Sequence, residues 1–275
     1  MEIVEAELVS YKDFKMPPVL YKYRSWDDNY HRRLITHREV FFAAPESFED
    51  EYDCKNETRW DLLTEEEILN KYFQDSHSIH PEYTIEQRME FAIDWANHTM
   101  LRDKDYIAKQ EKETFRQFNL KTGVLSLTEH PKEIDMWEKY GDDHTGFCMG
   151  FDGKVMLDGM GTSGGIVIYN KELPIIHPTP KHSYMQQSIL RIFFKLEKWS
   201  FEKEYRTFMF RDKDLTLKDR TIVVRPEAFK EIIVGAKMSD ENVEKLLKSI
   251  PAELKKIKVK KVVTKDNSAL EIMDL

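Results

Sequence analysis

Strand-type runs outnumber the helices available to connect them, and that ratio constrains the fold of this chain more than any other feature. Val19-Leu20-Tyr21-Lys22-Tyr23, Glu39-Val40-Phe41-Phe42-Ala43, Gly123 to Thr128, Gly146 to Asp152 and Ile166 to Tyr169 carry the β-branched and aromatic content of strands. Further strands are expected around Glu204 to Phe210, Thr221 to Val224, Glu231 to Val234, Ile257 to Val263 and Ala269 to Met273. Regular βαβ winding needs a helix at each crossover, and too few are available. The expectation is α+β with a mixed, mostly antiparallel sheet.

The expected helices begin with capping chemistry. Asp27 and Asp28 open a short helix to about Leu34, and Ser239 caps another running to about Lys248. Thr64, followed by Glu65, Glu66 and Glu67, starts a helical region reaching about Phe118, with a break at Ser76 to Pro81 and with Phe91, Ile93, Trp95 and Met100 in its second part. Shorter helices are expected from Ile134 to Tyr140 and from Ser183 to Lys195. With 275 residues, 41% of them hydrophobic, the chain has ample material for one large core. A single domain over residues 1–275 is expected, with a helical insertion at 55–120 near the N-terminal third. The turn Gly159 to Gly165 lacks a Lys-Ser/Thr ending and the G-x-G-x-x-G pattern, and reads as a flexible surface loop.

Charge and cysteine content narrow the function classes. A formal net charge of -8 repels nucleic-acid backbones and anionic bilayers unless basic residues are locally segregated. The lysines of Lys255 to Lys261 largely alternate with Ile257 and Val259, which suits an amphipathic strand. Cys54 and Cys148 lie far apart without metal-ligand spacing, so a reduced, cytoplasmic setting is expected and a structural zinc is not. No apolar run approaches membrane-spanning length, and the start of the chain, with Glu2 and Glu5, lacks the basic and apolar regions of a leader.

Three strings place charges beside large aromatics: Tyr21-Lys22-Tyr23-Arg24, Met136-Trp137-Glu138-Lys139-Tyr140 and Glu202-Lys203-Glu204-Tyr205-Arg206. Such strings suit a polar site with apolar walls. On a strand, Glu202, Glu204 and Arg206 share one face, where two like charges raise one carboxylate and Arg206 holds the other ionised. On a helix, Glu202 and Arg206 form an ordinary i, i+4 pair instead. Arg24 reads either as an anion clamp oriented by Tyr21, Tyr23 or Trp26, or as a surface arginine paired with Asp27 or Asp28. Trp137 and Tyr140 share a helix face, to stack on a ligand ring or to fill the core. The acidic run Glu46 to Asp53 lacks the glycine and spacing of a calcium loop, and no metal is expected.

Taken in order, Tyr21 to Ser25, Phe41 to Phe48 with Asp50 and Asp53, Gly123 to Glu129, Met136-Trp137 with Tyr140, His144 and Gly146, and Trp199 to Arg206 resemble the bacterial and phage family known as domain of unknown function two-nine-seven-one. The likeness runs through nearly the whole chain. It departs at Glu49-Asp50-Glu51-Tyr52-Asp53, where the family usually has Asn-Asp-Pro-Phe-Asp: Asp50 and Asp53 match as supporting residues, and no role carries to Glu49. The order Arg24, Ser126-Leu127-Thr128, Glu202-Lys203-Glu204 is more distantly similar to ADP-ribosyltransferases. That resemblance implies NAD as substrate, anchored by Arg24 and braced by Ser126 or Thr128. It implies Glu204, with Glu202, as the catalytic carboxylate, and Tyr23, Trp137 and Tyr140 around nicotinamide.

The expected activity is therefore NAD-dependent ADP-ribosyl transfer or NAD hydrolysis, to a protein or nucleic-acid acceptor or to water, in a toxin or phage-defence setting. A non-catalytic module binding a nucleotide or a partner segment is the alternative from another class. A metal-dependent nuclease using Asp50, Asp53 and Glu204 is a third.

Overall fold

The computed structural model describes residues 17–158, 160, 162–265 and 269–275. Glu2 and Glu5 lie outside the described residues, as do Gly159 and Gly161 of the glycine-rich turn.

The first described elements are β1 (Val19–Arg24), α1 (Asn29–Thr36) and β2 (Glu39–Phe41). Asp28 caps α1, its carboxylate accepting from the Tyr30 and His31 amides. Three helices follow, α2 (Glu65–Ile79), α3 (Ile85–Asn97) and α4 (Lys104–Lys121). Thr64 and Thr84 form reciprocal capping boxes with Glu67 and Gln87. The break between α2 and α3 falls at His80 to Thr84 rather than at Ser76 to Pro81. Ser76 stays inside α2 because its fully buried hydroxyl donates to the Phe73 carbonyl within the helix. Met100 lies beyond α3, in the turn before α4, which Asp103 caps as a separate helix.

Next come β3 (Thr122–Thr128), α5 (Ile134–Lys139), β4 (Phe147–Asp152), α6 (Gly153–Asp158), β5 (Ser163–Ile166) and β6 (Ile168–Asn170). Then α7 (Tyr184–Ile192), β7 (Phe194–Leu196), β8 (Glu204–Phe210), β9 (Thr221–Val223) and β10 (Phe229–Val234) lead to α8 (Asp240–Ser249), β11 (Lys258–Lys265) and β12 (Ala269–Asp274).

Eight strands form one sheet in the order β12-β11-β10-β4-β1-β3-β8-β5. Its neighbours are antiparallel except β10 and β11. Separate two-stranded ladders join β2 to β9 and β6 to β7. The architecture is α+β with a mixed, mostly antiparallel sheet, as strand content predicts. Ser163, Gly164 and Gly165, expected as part of a surface loop, instead belong with Ile166 to the edge strand β5. Its glycines explain the difference, since a Cβ on Gly164 would meet the Arg206 carbonyl oxygen at 2.8 Å and hold β5 away from β8.

Alternation along the strands sorts the core into layers. Leu20, Leu125, Leu127, Phe147, Met149 and Tyr205 pack on one face with Leu34 and Ile35 of α1 and Val243 and Leu246 of α8. Tyr21, Tyr23, Cys148, Ile233 and Val262 pack on the other face with Met136 and Trp137 of α5. Further along that second face, Val124 and Phe208 meet Cys54, Phe118 of α4 and Ile192 of α7.

The sheet is not continuous through its middle. β1 pairs with β4 from Val19 to Arg24, and β3 pairs with β8 from Thr122 to Thr128. Between β1 and β3 the register holds one pair, Tyr21 opposite Thr128, after which the strands part. Beyond the parting Val124 is bridged to Ala43, a residue expected to extend the strand of β2. Gly146, just before β4, closes on the end of β1 so tightly that a Cβ would meet the Arg24 carbonyl oxygen at 2.3 Å.

Candidate functional site

A cleft of about 480 Å³ opens where β1 and β3 part. On a strand, Lys22 and Arg24 project opposite to Tyr21 and Tyr23, and an unbroken sheet would separate the two pairs. The parting lets both reach the same cleft, so Tyr21, Tyr23, Arg24, Ser126, Thr128, Tyr140, Glu202, Glu204 and Arg206 all line it, with Asp50 and Asp53. The structure does not bring Trp137 to it. That indole is fully buried, donates from Nε1 to the Pro131 carbonyl at 2.9 Å, and meets the Tyr23 ring edge-on at 4.9 Å. Trp137 therefore supports Tyr23 from behind.

One wall is a buried ion cluster. Arg206, on β8, gives both Nη atoms to the Asp53 carboxylate at 2.7 Å each, and its Nε reaches Glu204 Oε2 at 2.8 Å. Lys195, on β7, contacts Glu204 Oε1 at 2.9 Å, Glu202 Oε2 at 2.5 Å and Asp53 Oδ2 at 3.2 Å. Tyr140 donates to the second Glu202 oxygen at 2.5 Å, and the Glu204 amide donates to the Tyr169 hydroxyl at 2.9 Å.

Glu202 and Glu204 do not share a strand face. Glu202 ends a 3-10 turn, Glu197–Glu202, and Lys203 takes a left-handed conformation with φ 41° before β8 starts at Glu204. The two carboxylates meet through Lys195 instead, and the helical i, i+4 alternative does not form.

Three carboxylates in this cluster face two cations, and the cost of the surplus negative charge falls on Glu202. Burial, then hydrogen bonding and repulsion from Glu204, push its carboxyl up to about 7 despite Lys195. Burial also acts to raise Glu204, but Arg206 and Lys195 outweigh it and hold that carboxyl well below the ordinary range. The paired environments separate an ionised carboxylate from one that titrates near neutrality.

The other wall is cationic. Arg24 donates to the Tyr23 carbonyl at 3.5 Å and is favoured in its charged form by the nearby Asp28, and Lys22 Nζ donates to the Ser126 carbonyl at 2.7 Å. Among the described residues no carboxylate stands within ion-pair distance of either. Asp28 is occupied as the α1 cap, and the Trp26 ring is covered by Arg32 at 4.9 Å rather than by Arg24. Burial lowers Arg24 to about 10, which leaves it charged near neutrality. Burial and then the neighbouring Arg24 hold the Lys22 ammonium well below its ordinary value, and the same pair of causes pushes His31 down to about 4.

Sequence reasoning missed Lys195, which links all three carboxylates, and His31, and it gave no individual role to Lys22, Phe48 or Trp199, which also line the cleft. Lys195 did carry a signal: it is the one charged residue of the apolar run Ile192-Phe193-Phe194-Lys195-Leu196, where an ion must find buried partners. Among the described residues no group of three or more His, Cys, Asp or Glu side chains is arranged to hold a metal ion. Nor, among them, is any helix long and apolar enough to cross a membrane.

Residues 136–207 match the model of a family described as "Protein of unknown function (DUF2971)", which supports the resemblance drawn from the motifs. The matched segment contains Tyr140, Lys195, Glu202, Glu204 and Arg206. No curated protein and no solved structure matches the chain.

Proposed function

We propose that the cleft binds an NAD-like dinucleotide and cleaves its N-glycosidic bond, passing the ADP-ribosyl group to an acceptor or to water. The observation that carries this reading is the charge layout: two basic side chains with no carboxylate at ion-pair distance among the described residues, Lys22 and Arg24, across one cleft from the coupled carboxylates Glu202 and Glu204. A diphosphate satisfies the first wall and favours the charged form of Lys22, opposing the effect of its burial. Ribose and nicotinamide then lie towards the second wall, beside Tyr140 and Trp199.

As the bond from ribose C1′ to nicotinamide breaks, its electron pair returns to the ring nitrogen and positive charge grows on the ribose. With Glu202 ionised, Asp53, Glu202, Glu204, Lys195 and Arg206 carry one net negative charge, placed to stabilise that cation. The hydroxyl of the acceptor, or water, attacks C1′ and gives its proton to Glu202. Glu204 already accepts three hydrogen bonds from Lys195 and Arg206, and one of a carboxylate's roughly four acceptor sites remains for a ribose hydroxyl. A toxin or phage-defence role would act through NAD consumption or through the modified acceptor.

The three hydrogen bonds that already engage Glu204 favour one second reading, a nucleotide-binding module without turnover. Calorimetric titration with NAD, ADP-ribose and ATP tests the binding step. NAD or ADP-ribose should bind, and Arg24→Ala should weaken that binding about tenfold or more by removing a charge-assisted phosphate contact. Unchanged affinity in Arg24→Ala would falsify the diphosphate assignment. Binding with no release of nicotinamide would favour the second reading.

A further inference from the structure

Two buried polar atoms on residues that line the cleft lack hydrogen-bond partners among the described residues, and they are complementary, one an acceptor and one a donor. Asp50 has a side chain only 6% exposed, and its Oδ2 is without a partner. Its other oxygen accepts from the Tyr52 amide at 3.4 Å and lies 3.7 Å from Lys198 Nζ. The indole Nε1 of Trp199 is likewise buried and without a partner. Lys198 connects the two, since its Nζ also stands 5.3 Å from the centre of the Trp199 ring. On the inner side, Lys195 Nζ is 5.1 Å from that ring, which places Trp199 next to Glu202 and its glycosidic chemistry. A buried carboxylate oxygen and a buried indole N–H left unmade are each costly, and the cost is recovered when a ligand supplies the matching groups.

We propose that Asp50 and Trp199 read a carboxamide carried on the leaving heterocycle, Asp50 Oδ2 accepting from its NH₂ and Trp199 Nε1 donating to its carbonyl oxygen. This rests on the proposed NAD reading and adds the residues that select the amide form of the ring. The ring itself lies among the aromatic side chains of Phe48, Tyr140 and Trp199, all of which line the cleft. A ring carboxylate in the same place brings a second anion against Asp50 and has no N–H to give it, so the acid form is rejected both by repulsion and by the unmade hydrogen bond. Entry requires Lys198 to swing away from Asp50, and its side chain is 56% exposed and held there by a 3.7 Å contact alone on the carboxylate side.

The test is calorimetric binding of NAD and of its nicotinic acid counterpart to wild type, Asp50→Asn and Trp199→Phe, each checked for an unchanged melting transition. Wild type should bind NAD at least about tenfold more tightly than the acid form. Asp50→Asn, which offers a donor as well as an acceptor, should bring the two within about threefold, and Trp199→Phe, which keeps a ring and loses the N–H, should weaken NAD by about fivefold or more. Equal affinities in wild type, or a preference that survives Asp50→Asn, overturn the assignment while leaving the dinucleotide site intact. A preference lost only in Trp199→Phe overturns the role of Asp50. Binding of neither dinucleotide to wild type removes this proposal together with the reading on which it rests.

Discussion

Arg206→Ala is expected to be the most destabilising single substitution in the chain. The guanidinium is 1% exposed and supplies a two-pronged contact to Asp53, two hydrogen bonds to Glu204 and one to the Ile192 carbonyl at 2.8 Å. Removing it leaves two buried carboxylates with Lys195 as their remaining cation. Loss of one partner from a buried ion pair typically costs about 3 to 5 kcal/mol. That is a large part of the roughly 5 to 15 kcal/mol that holds a domain folded. Arg206→Lys should recover less than half of the loss, because one ammonium cannot reproduce a planar fork aimed at two carboxylates. Denaturant midpoints at neutral pH decide the matter. A loss below about 1 kcal/mol in Arg206→Ala would mean that water enters and solvates the cluster.

Glu202→Gln should separate catalysis from stability in opposite directions. As a general base Glu202 works only when ionised, so turnover of NAD in wild type should rise with pH through about 7. The Gln variant should lose about 10²- to 10⁴-fold in rate and lose that pH dependence. The stability effect follows from linkage. Burial raises this carboxyl from its ordinary 4.5 to about 7, so the folded state holds the proton more tightly than the unfolded one. Its favourable contribution is complete below 4.5 and is lost as pH rises through about 7. Glutamine mimics the protonated form. The variant should match wild type below about pH 4.5 and gain on it by on the order of 3 kcal/mol at most by pH 8. An ordinary stabilising Lys195–Glu202 pair would give the reverse, with the variant weaker at pH 8. Thermal melts across that range, together with nicotinamide release at each pH, distinguish the two.

Much of the fold is legible locally because its signals are local. Asp28, Thr64, Ser183 and Ser239 each accept the amides that their spacing predicts, and the alternating run from Glu204 to Phe210 lies in β8 with Tyr205 and Met209 on one face and Phe208 on the other. What periodicity does not carry is strand order. The meeting of Arg24, Ser126 and Glu204 at one cleft depends on β1 lying beside β3 and on the two parting after one pair, and neither follows from any window of sequence. Trp137 illustrates a second limit, since a helix face that bears Trp and Tyr looks the same whether it meets a ligand or the back of Tyr23. Lys195 illustrates a third: its three carboxylate partners come from Asp53, Glu202 and Glu204, and long-range charge balance is invisible residue by residue.

The parting of β1 and β3 also bears on how the sheet holds together. It makes the sheet two slabs, one from β12 to β1 and one from β3 to β5, that share a single rung at Tyr21 and Thr128. The hydrophobic layer from Leu20 to Leu125 and Leu127 runs beneath them and ties the slabs together on that face, so an opening at the cleft would be confined to the other face. A molecule reaching from Arg24 to Ser126 would act as a second rung, and its grip would brace the hinge. Ligand occupancy then becomes part of the sheet's cohesion. Amide exchange at Tyr23 and Ser126 should slow on binding while the ladder between β3 and β8 is unaffected, and equal protection throughout would mean the slabs already move as one.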